Sequence, residues 1–379
     1  MPLKICIGAY ILRYIDGGAY QWAFLNWALG LKSLGCRVIW LDSVASGTPL
    51  EQIQRDIAEL KDRLRSFALE DSLAVIDRTG GRLPEAVTGC TDLDAALDAD
   101  LFLNLGYDLD DTVVRSFPRS AFIDLDPGLT QTWISLGQLH VPEHDVYFTY
   151  GETVGRSEKI PTCGLEWHYT PPPVCLEHWH VSTPPAVRSS YTTVSNWWGD
   201  ADWIEIAGDV VDNSKRTAFL EYLELPSRTK AQIELALPLS AGEHDNRDRE
   251  VLERHGWTVR HVLNVSATPR AFQSYVQSSR GEFSCMKRGY TLLDTAWMSE
   301  RSVNYLASGK PAVVQHTGPS SFLPDWEGLL RFRNVDEAAR ALNALEDDYT
   351  RHSKCARQLA EEYFDSQKVI PRVLEKTLA

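Results

Sequence analysis

The chain has no stretch of about 18 consecutive apolar residues, so no segment reads as a membrane-spanning helix. Its start, Met1-Pro2-Leu3-Lys4 running into Ile5-Cys6-Ile7-Gly8, lacks the long apolar core of a signal peptide and reads as a first strand. Cysteine is sparse and scattered. The seven residues Cys6, Cys36, Cys90, Cys163, Cys175, Cys285 and Cys355 form no CxxC pair, which argues against a zinc site or a disulfide framework and for reduced thiols in a cytoplasmic protein. No Lys/Arg-rich block occurs and the net charge is −14, which argues against nucleic acid as a partner, although a local basic patch can still hold one diphosphate. Also missing are H-E-x-x-H, the P-loop, G-x-S-x-G and G-x-G-x-x-G. Their absence argues against zincins, P-loop NTPases, α/β-hydrolases and an NAD-type dinucleotide fingerprint.

What is present is the composition of a globular chain, 44% apolar and 24% charged. At 379 residues it suits two domains of about 150–200 residues each. Lys4 to Ile11 is β-rich, Gln21 to Leu34 carries Trp22, Leu25, Leu29 and Leu34 at helical spacing, and Arg37 to Leu41 is a second buried strand, together a βαβ unit. A charged amphipathic helix, Glu51 to Phe67, follows. Apolar runs at Leu73–Ile76, Asp100–Leu105, Ser120–Leu125 and Val146–Tyr150 then suit further strands of a doubly wound sheet. Pro171, Pro172, Pro173, Pro184 and Pro185 mark a linker near 165–187. Beyond it a second α/β series runs from Ser190–Val194 through Ala312–Gln315 to amphipathic helices over Val335–Asp348 and Tyr349–Phe364, then the segment Ser366–Leu378. The expectation is two Rossmann-like domains, 1–170 and 188–365, with a cleft between them.

Ligands of open α/β sheets bind at the carboxyl ends of the strands. After the first strand, Asp16 is placed to act as a general base on an acceptor hydroxyl, with Gly17, Gly18 and Tyr20 leaving room for that acceptor; the plainer reading is a turn that caps the next helix. The matching loop of the second half, Ser195 to Asp200, offers Asn196 and Trp197 to a donor, or a structural Trp pair. Several of the 12 tryptophans flank polar or Gly residues, where a ring can stack on a sugar or base or simply fill the core. Asp124-Leu125-Asp126 matches a metal-binding D-x-D but sits where a strand ends, so no essential metal is expected. His316 is the histidine best placed for chemistry, and Thr317 and Gly318 follow it in a loop able to meet phosphate.

The most informative stretch is Ser299-Glu300-Arg301-Ser302, a short helical run to Ala307, a Ser308-Gly309-Lys310-Pro311 stop, then Ala312-Val313-Val314-Gln315. Ser299 reads as an N-cap and Gly309 as the residue that ends the helix. A helix start of this kind, with its unpaired N–H groups, cradles a diphosphate. Here the chain resembles glycosyltransferases of the GT-B type, in which a polar helix start, "A-x-G-x-P-V-V" and a Gly-bearing loop grip the nucleotide sugar. Three blocks, Ala23–Gly30, Phe148–Glu152 with Pro161–Gly164, and the stretch above, are similar to uncharacterised bacterial glycosyltransferase-like proteins.

The resemblance implies a nucleotide diphospho-sugar as co-substrate, no bound cofactor, transfer to a small-molecule or glycan hydroxyl, and a C-terminal segment, 366–379, that crosses back to the first domain. It makes Ser299, Glu300, Arg301 and Ser302 donor-binding, and adds Glu282, Ser284 and Lys287 from the region that reaches the donor's sugar or base. The retaining members carry a second Glu five residues before the Gly; this chain has Asn304 there, which leaves the stereochemistry open. A GT-B-type sugar-nucleotide epimerase, a non-catalytic nucleotide-sugar binder and a DNA-base glucosyltransferase are the competing readings.

Overall fold

The computed structural model describes residues 2–81, 83–182, 189–199, 202–240, 242–325 and 327–379. Two parallel sheets organise it. The first contains β1 (Lys4–Gly8), β2 (Arg37–Val44), β3 (Leu73–Asp77), β4 (Leu101–Asn104), β5 (Ser120–Asp124), β6 (Val146–Thr149) and β7 (Trp167–Tyr169), in the order β3-β2-β1-β4-β5-β6-β7. Next come β8 (Tyr191–Val194) and an antiparallel hairpin of β9 (Trp203–Ile206) and β10 (Asp209–Asp212). The second sheet is completed by β11 (Ile233–Leu237), β12 (Thr258–His261), β13 (Gly281–Ser284), β14 (Ala312–Gln315) and β15 (Leu329–Phe332), ordered β12-β11-β8-β13-β14-β15. Each sheet turns outward in both directions from its first strand, the doubly wound order expected of a Rossmann-like unit. Both sheets are covered by helices, so their strands read as near-continuous apolar runs rather than alternations.

The helix Gly18–Ser33 buries more than the single apolar stripe of Trp22, Leu25, Leu29 and Leu34. It is buried at every position from Gln21 to Leu31, because it lies between its own sheet, the second half and the C-terminal helix. The Trp22 indole donates to the Pro269 carbonyl at 2.9 Å, and the Asn26 amide donates to Asn304 Oδ1 at 2.9 Å. The terminal helix Ser366–Leu378 packs on Gly18–Ser33, and Arg119 of the first half donates to the Thr377 carbonyl at 2.8 Å. Where the chain returns, Val174 and Asp365 form a β-bridge.

The described part of the stretch expected as a linker, 165–182, joins the first half. Trp167–Tyr169 forms the seventh strand of the first sheet, and Val174 pairs with the returning chain; Pro184 and Pro185 lie outside the described residues. Gly281–Ser284, which carries the expected donor residues Glu282 and Ser284, is the buried strand β13 between β8 and β14. Among the described residues no helix is long and apolar enough to cross a membrane.

Candidate functional site

The helix Glu300–Ala307 begins at Ser299, whose side chain accepts the Arg301 N–H at 3.3 Å. Its first turn faces β13 and the first half. Arg301 donates to Glu282 Oε1 at 2.9 Å and to Ser284 Oγ at 2.8 Å, so three of the expected donor-side residues form one buried network. Four side chains around this helix start keep a buried polar atom without a protein partner: Glu282 Oε2, Glu300 Oε2, Ser302 Oγ and Asn304 Nδ2. Native interiors leave few such atoms, and a concentration of them at a helix N-terminus is what a site awaiting polar ligand groups shows.

Lys215, which the sequence did not single out, completes the cationic side. It is buried at the start of the helix Lys215–Leu220, and its ammonium donates to the Cys285 carbonyl at 2.5 Å. Burial, with the neighbouring Arg301 guanidinium, pushes its pKa down to about 7. Lys287 caps the next helix, Arg288–Leu292, and also bears on Lys215 electrostatically. In the chain Lys215 is one lysine after a Ser N-cap, and only the fold brings it to the end of β13.

From the first half comes Asp126, at the carboxyl end of β5. Its Oδ1 accepts the Tyr290 hydroxyl at 2.5 Å, a contact that spans the two halves, and the Tyr290 ring stacks on Trp297 with centroids 4.3 Å apart. Burial raises the Glu300 carboxyl above the usual carboxylate range; its own backbone N–H and Arg301 oppose this, and Asp126 and Glu282 add to it. The other acid of the D-x-D, Asp124, is occupied inside the first half. It accepts Thr130 Oγ1 at 2.7 Å, Gln131 Nε2 at 2.8 Å and Thr149 Oγ1 at 2.8 Å, and burial pushes it up to about 6.

The remaining expected residues stand outside the Arg301–Glu282–Ser284 network. Asp16 is 63% exposed and faces Arg63 of the helix Leu50–Arg65 at 3.3 Å. Gly17 precedes the first helix, and Gly18 is pressed against the second half: a Cβ there would lie 2.2 Å from the Thr268 carbonyl oxygen. The space at Gly18 is thus taken by the partner half, not by an acceptor. Tyr20 is exposed beside Tyr14. Trp197 is fully buried with its indole donating to Asp248 at 2.8 Å, whereas Asn196 is exposed; Asp200 lies outside the described residues. His316 accepts the Gly318 N–H on Nδ1 at 3.1 Å, and burial lowers its pKa. Thr317 donates to the Trp297 carbonyl at 2.8 Å, and Gly318, at φ 132°, lies against the Asp294 backbone. This loop thereby supports the Tyr290–Trp297 stack. Among the described residues no group of three or more His, Cys, Asp or Glu is arranged to hold a metal ion.

No family model matches this chain, and no curated protein matches it in sequence. Solved structures do match in fold. An α-glucosyltransferase in complex with UDP and a 13-mer DNA is 11% identical over 100% of both chains, with a TM-score of 0.59. HepE of Anabaena, in complex with UDP and glucose, is 11% identical over 99% of each chain, at 0.57. AviGT4, a glycosyltransferase of avilamycin A biosynthesis, is 14% identical over 100% of this chain and 97% of its own, at 0.53. The likeness spans both halves, and the fold is the two-domain, Rossmann-like GT-B type.

Proposed function

We propose that the chain transfers a sugar from a nucleotide diphospho-sugar to a hydroxyl acceptor, with residues 1–170 serving the acceptor and 188–365 the donor. The observation that carries this is the set of unpartnered buried polar atoms at the start of Glu300–Ala307, flanked by Arg301 and Lys215. A diphosphate placed there meets backbone N–H groups, the Ser302 hydroxyl and two cations, which stabilise the departing nucleotide as the glycosidic oxygen takes up charge. These groups supply charge stabilisation without a resident metal, so turnover is expected to survive EDTA. HepE and the α-glucosyltransferase hold UDP, which makes UDP-sugars the first donors to test.

In the reaction the acceptor oxygen bonds to the anomeric carbon, the bond to the β-phosphate oxygen breaks, and the acceptor proton passes to a base. Asp126 is the carboxylate the geometry favours for that proton if the reaction inverts, because it stands between the halves. Asp16 is tied to Arg63 and His316 to its own loop. Asp126→Asn is expected to lower turnover by about 10²–10⁴-fold at unchanged nucleotide affinity, and Asp16→Asn to leave turnover near wild type. The reverse result would return the role to Asp16. Release of free nucleoside diphosphate only when acceptor is present separates a transferase from an epimerase or a binder. The α-glucosyltransferase binds DNA, so a duplex belongs among the acceptors tested, although the net charge of −14 weighs against it. Cys6, Cys36, Cys90, Cys163, Cys175 and Cys285 are free thiols, in keeping with a cytoplasmic setting.

A further inference from the structure

We propose that the acceptor is an uncharged sugar residue, held by a wall of tyrosines on the first half that turns away acidic sugars and nucleic acid. The inference rests on the sugar-transfer reading above.

The wall is built where β1, β4 and β5 end. Tyr14 follows β1, Tyr20 lies in the first turns of Gly18–Ser33, Tyr107 and Asp108 follow β4, and Asp126 follows β5. Tyr14 is 49% and Tyr20 37% exposed, and their rings meet edge to face with centroids 5.7 Å apart. Tyr20 in turn rests on Phe24 at 5.1 Å, so the pair is anchored to the core rather than free to swing. Behind them Tyr10 is buried and fixed, its hydroxyl donating to Asn104 Oδ1 at 2.9 Å. Tyr107 lies close enough to Tyr14, Asp108 and Asp126 for each to bear on its hydroxyl. The hydroxyls of Tyr14, Tyr20 and Tyr107 make no hydrogen bond to another described residue.

Tyrosine rings with free hydroxyls match a pyranose. The ring offers a flat apolar face to the sugar's C–H groups, and the phenol donates to or accepts from its hydroxyls at little conformational cost. The charges decide which sugar. Arg13, the cation of the loop after β1, is ion-paired to Asp108, and Arg63 is shared by Asp16 and Glu59. Asp126 has a tyrosine hydroxyl, not a cation, as its hydrogen-bond partner. A uronate or phosphodiester entering here meets carboxylates and finds the neighbouring guanidiniums already occupied, whereas a neutral hydroxyl finds acceptors.

The test uses the full chain and two separate titrations. Nucleotide affinity is measured calorimetrically with UDP and UDP-glucose. Acceptor binding is measured by saturation-transfer NMR with maltotriose, cellotriose, tri-galacturonate and a short DNA duplex. A neutral trisaccharide is expected to bind, the acidic trisaccharide and the duplex to bind at least about tenfold more weakly, and Tyr14→Ala with Tyr20→Ala to lose about tenfold in that affinity with nucleotide affinity unchanged. Because Tyr20 rests on Phe24, the single variant Tyr14→Ala, whose ring is half exposed, accompanies the double variant and is expected to weaken trisaccharide binding with its melting temperature unchanged. Asp108→Asn, which frees Arg13, is expected to raise binding of tri-galacturonate. Preference for the acidic sugar or for DNA, indifference to the tyrosine variants, or failure of both neutral trisaccharides to bind a protein that binds nucleotide would each overturn the proposal. Failure to bind any nucleotide would instead count against the donor site, with the trisaccharide titration still reporting on the wall.

Discussion

Arg301 and Lys215 stand side by side at the end of β13 but differ in what else they hold. Arg301 neutralises Glu282, which is fully buried, so its removal leaves a carboxylate unpaired in the interior. Breaking such a pair costs about 3–5 kcal/mol. A loss of nucleotide binding in Arg301→Ala would therefore be mixed with a loss of fold. Lys215 gives the cleaner reading because its partner is a backbone carbonyl. Its pKa of about 7 means that half the free protein lacks this charge near neutrality. A nucleotide diphospho-sugar has no proton of its own to exchange there, and it binds the ammonium form better, which raises the lysine pKa in the complex. Affinity is then full below pH 7 and falls as pH rises through 7 toward the higher bound value. UDP-glucose is expected to lose about tenfold in affinity between pH 7 and 8.5, with proton uptake visible as a buffer-dependent heat. Lys215→Met should bind more weakly and show no such slope. An identical slope in that variant would remove Lys215 from the donor site.

The element that joins the chemistry to the fold is the helix Gly18–Ser33. A Cβ on its first residue would meet the carbonyls of Thr268 and Ser266, and Ala19 N–H donates to Ser266 Oγ at 3.0 Å, so the helix start is an interface. Two effects oppose each other in Gly18→Ala. Alanine favours helix by about 1 kcal/mol. Its Cβ, however, would stand 2.2 Å from backbone that cannot step aside, and overpacking costs about 1–3 kcal/mol or more. The clash wins, and a lowered melting temperature is expected; an unchanged or higher one would show that the halves are free to separate there. The same element shows what the sequence could tell. Its helical period was legible, as were the βαβ start, the capped helix after Ser299 and the strand Ala312–Gln315, because each is written in local residues. What β13 and Gly18 do was not. A short apolar strand such as Gly-Glu-Phe-Ser contains a charge that looks exposed until Arg301, 19 residues later, arrives beside it. Asp126 and Lys215 were illegible for the same reason, since their partners Tyr290 and Cys285 lie far along the chain.

At the scale of the molecule the two halves, alike in strand order, are joined more firmly than one linker implies. Glu152 at the end of β6 is buried and accepts four hydrogen bonds from the loop of the other half: Ser320 Oγ at 2.5 Å, Ser321 N–H at 2.9 Å, Ser321 Oγ at 2.5 Å and Phe322 N–H at 3.1 Å. Asn26 and Asn304 join the first helix to the donor helix, so the residue standing where retaining transferases carry their second Glu also holds the halves in register. The last helix then closes the circuit, leaving the second half in sequence but packing on the first in space. Ile370 and Val373 join the same apolar cluster as Trp22 and Trp27 because the chain returns to the first half. Unfolding one half must expose this shared surface, which couples the two transitions. Calorimetry of the full chain is expected to show one cooperative melting transition. Removal of residues 366–379 strips the cover from Gly18–Ser33 and should lower the transition and split it, the first half melting first because it loses the packed face. Two separate transitions in the intact protein, or a truncated chain that melts as the full one does, would mean that the returning helix only decorates a pair of independent domains.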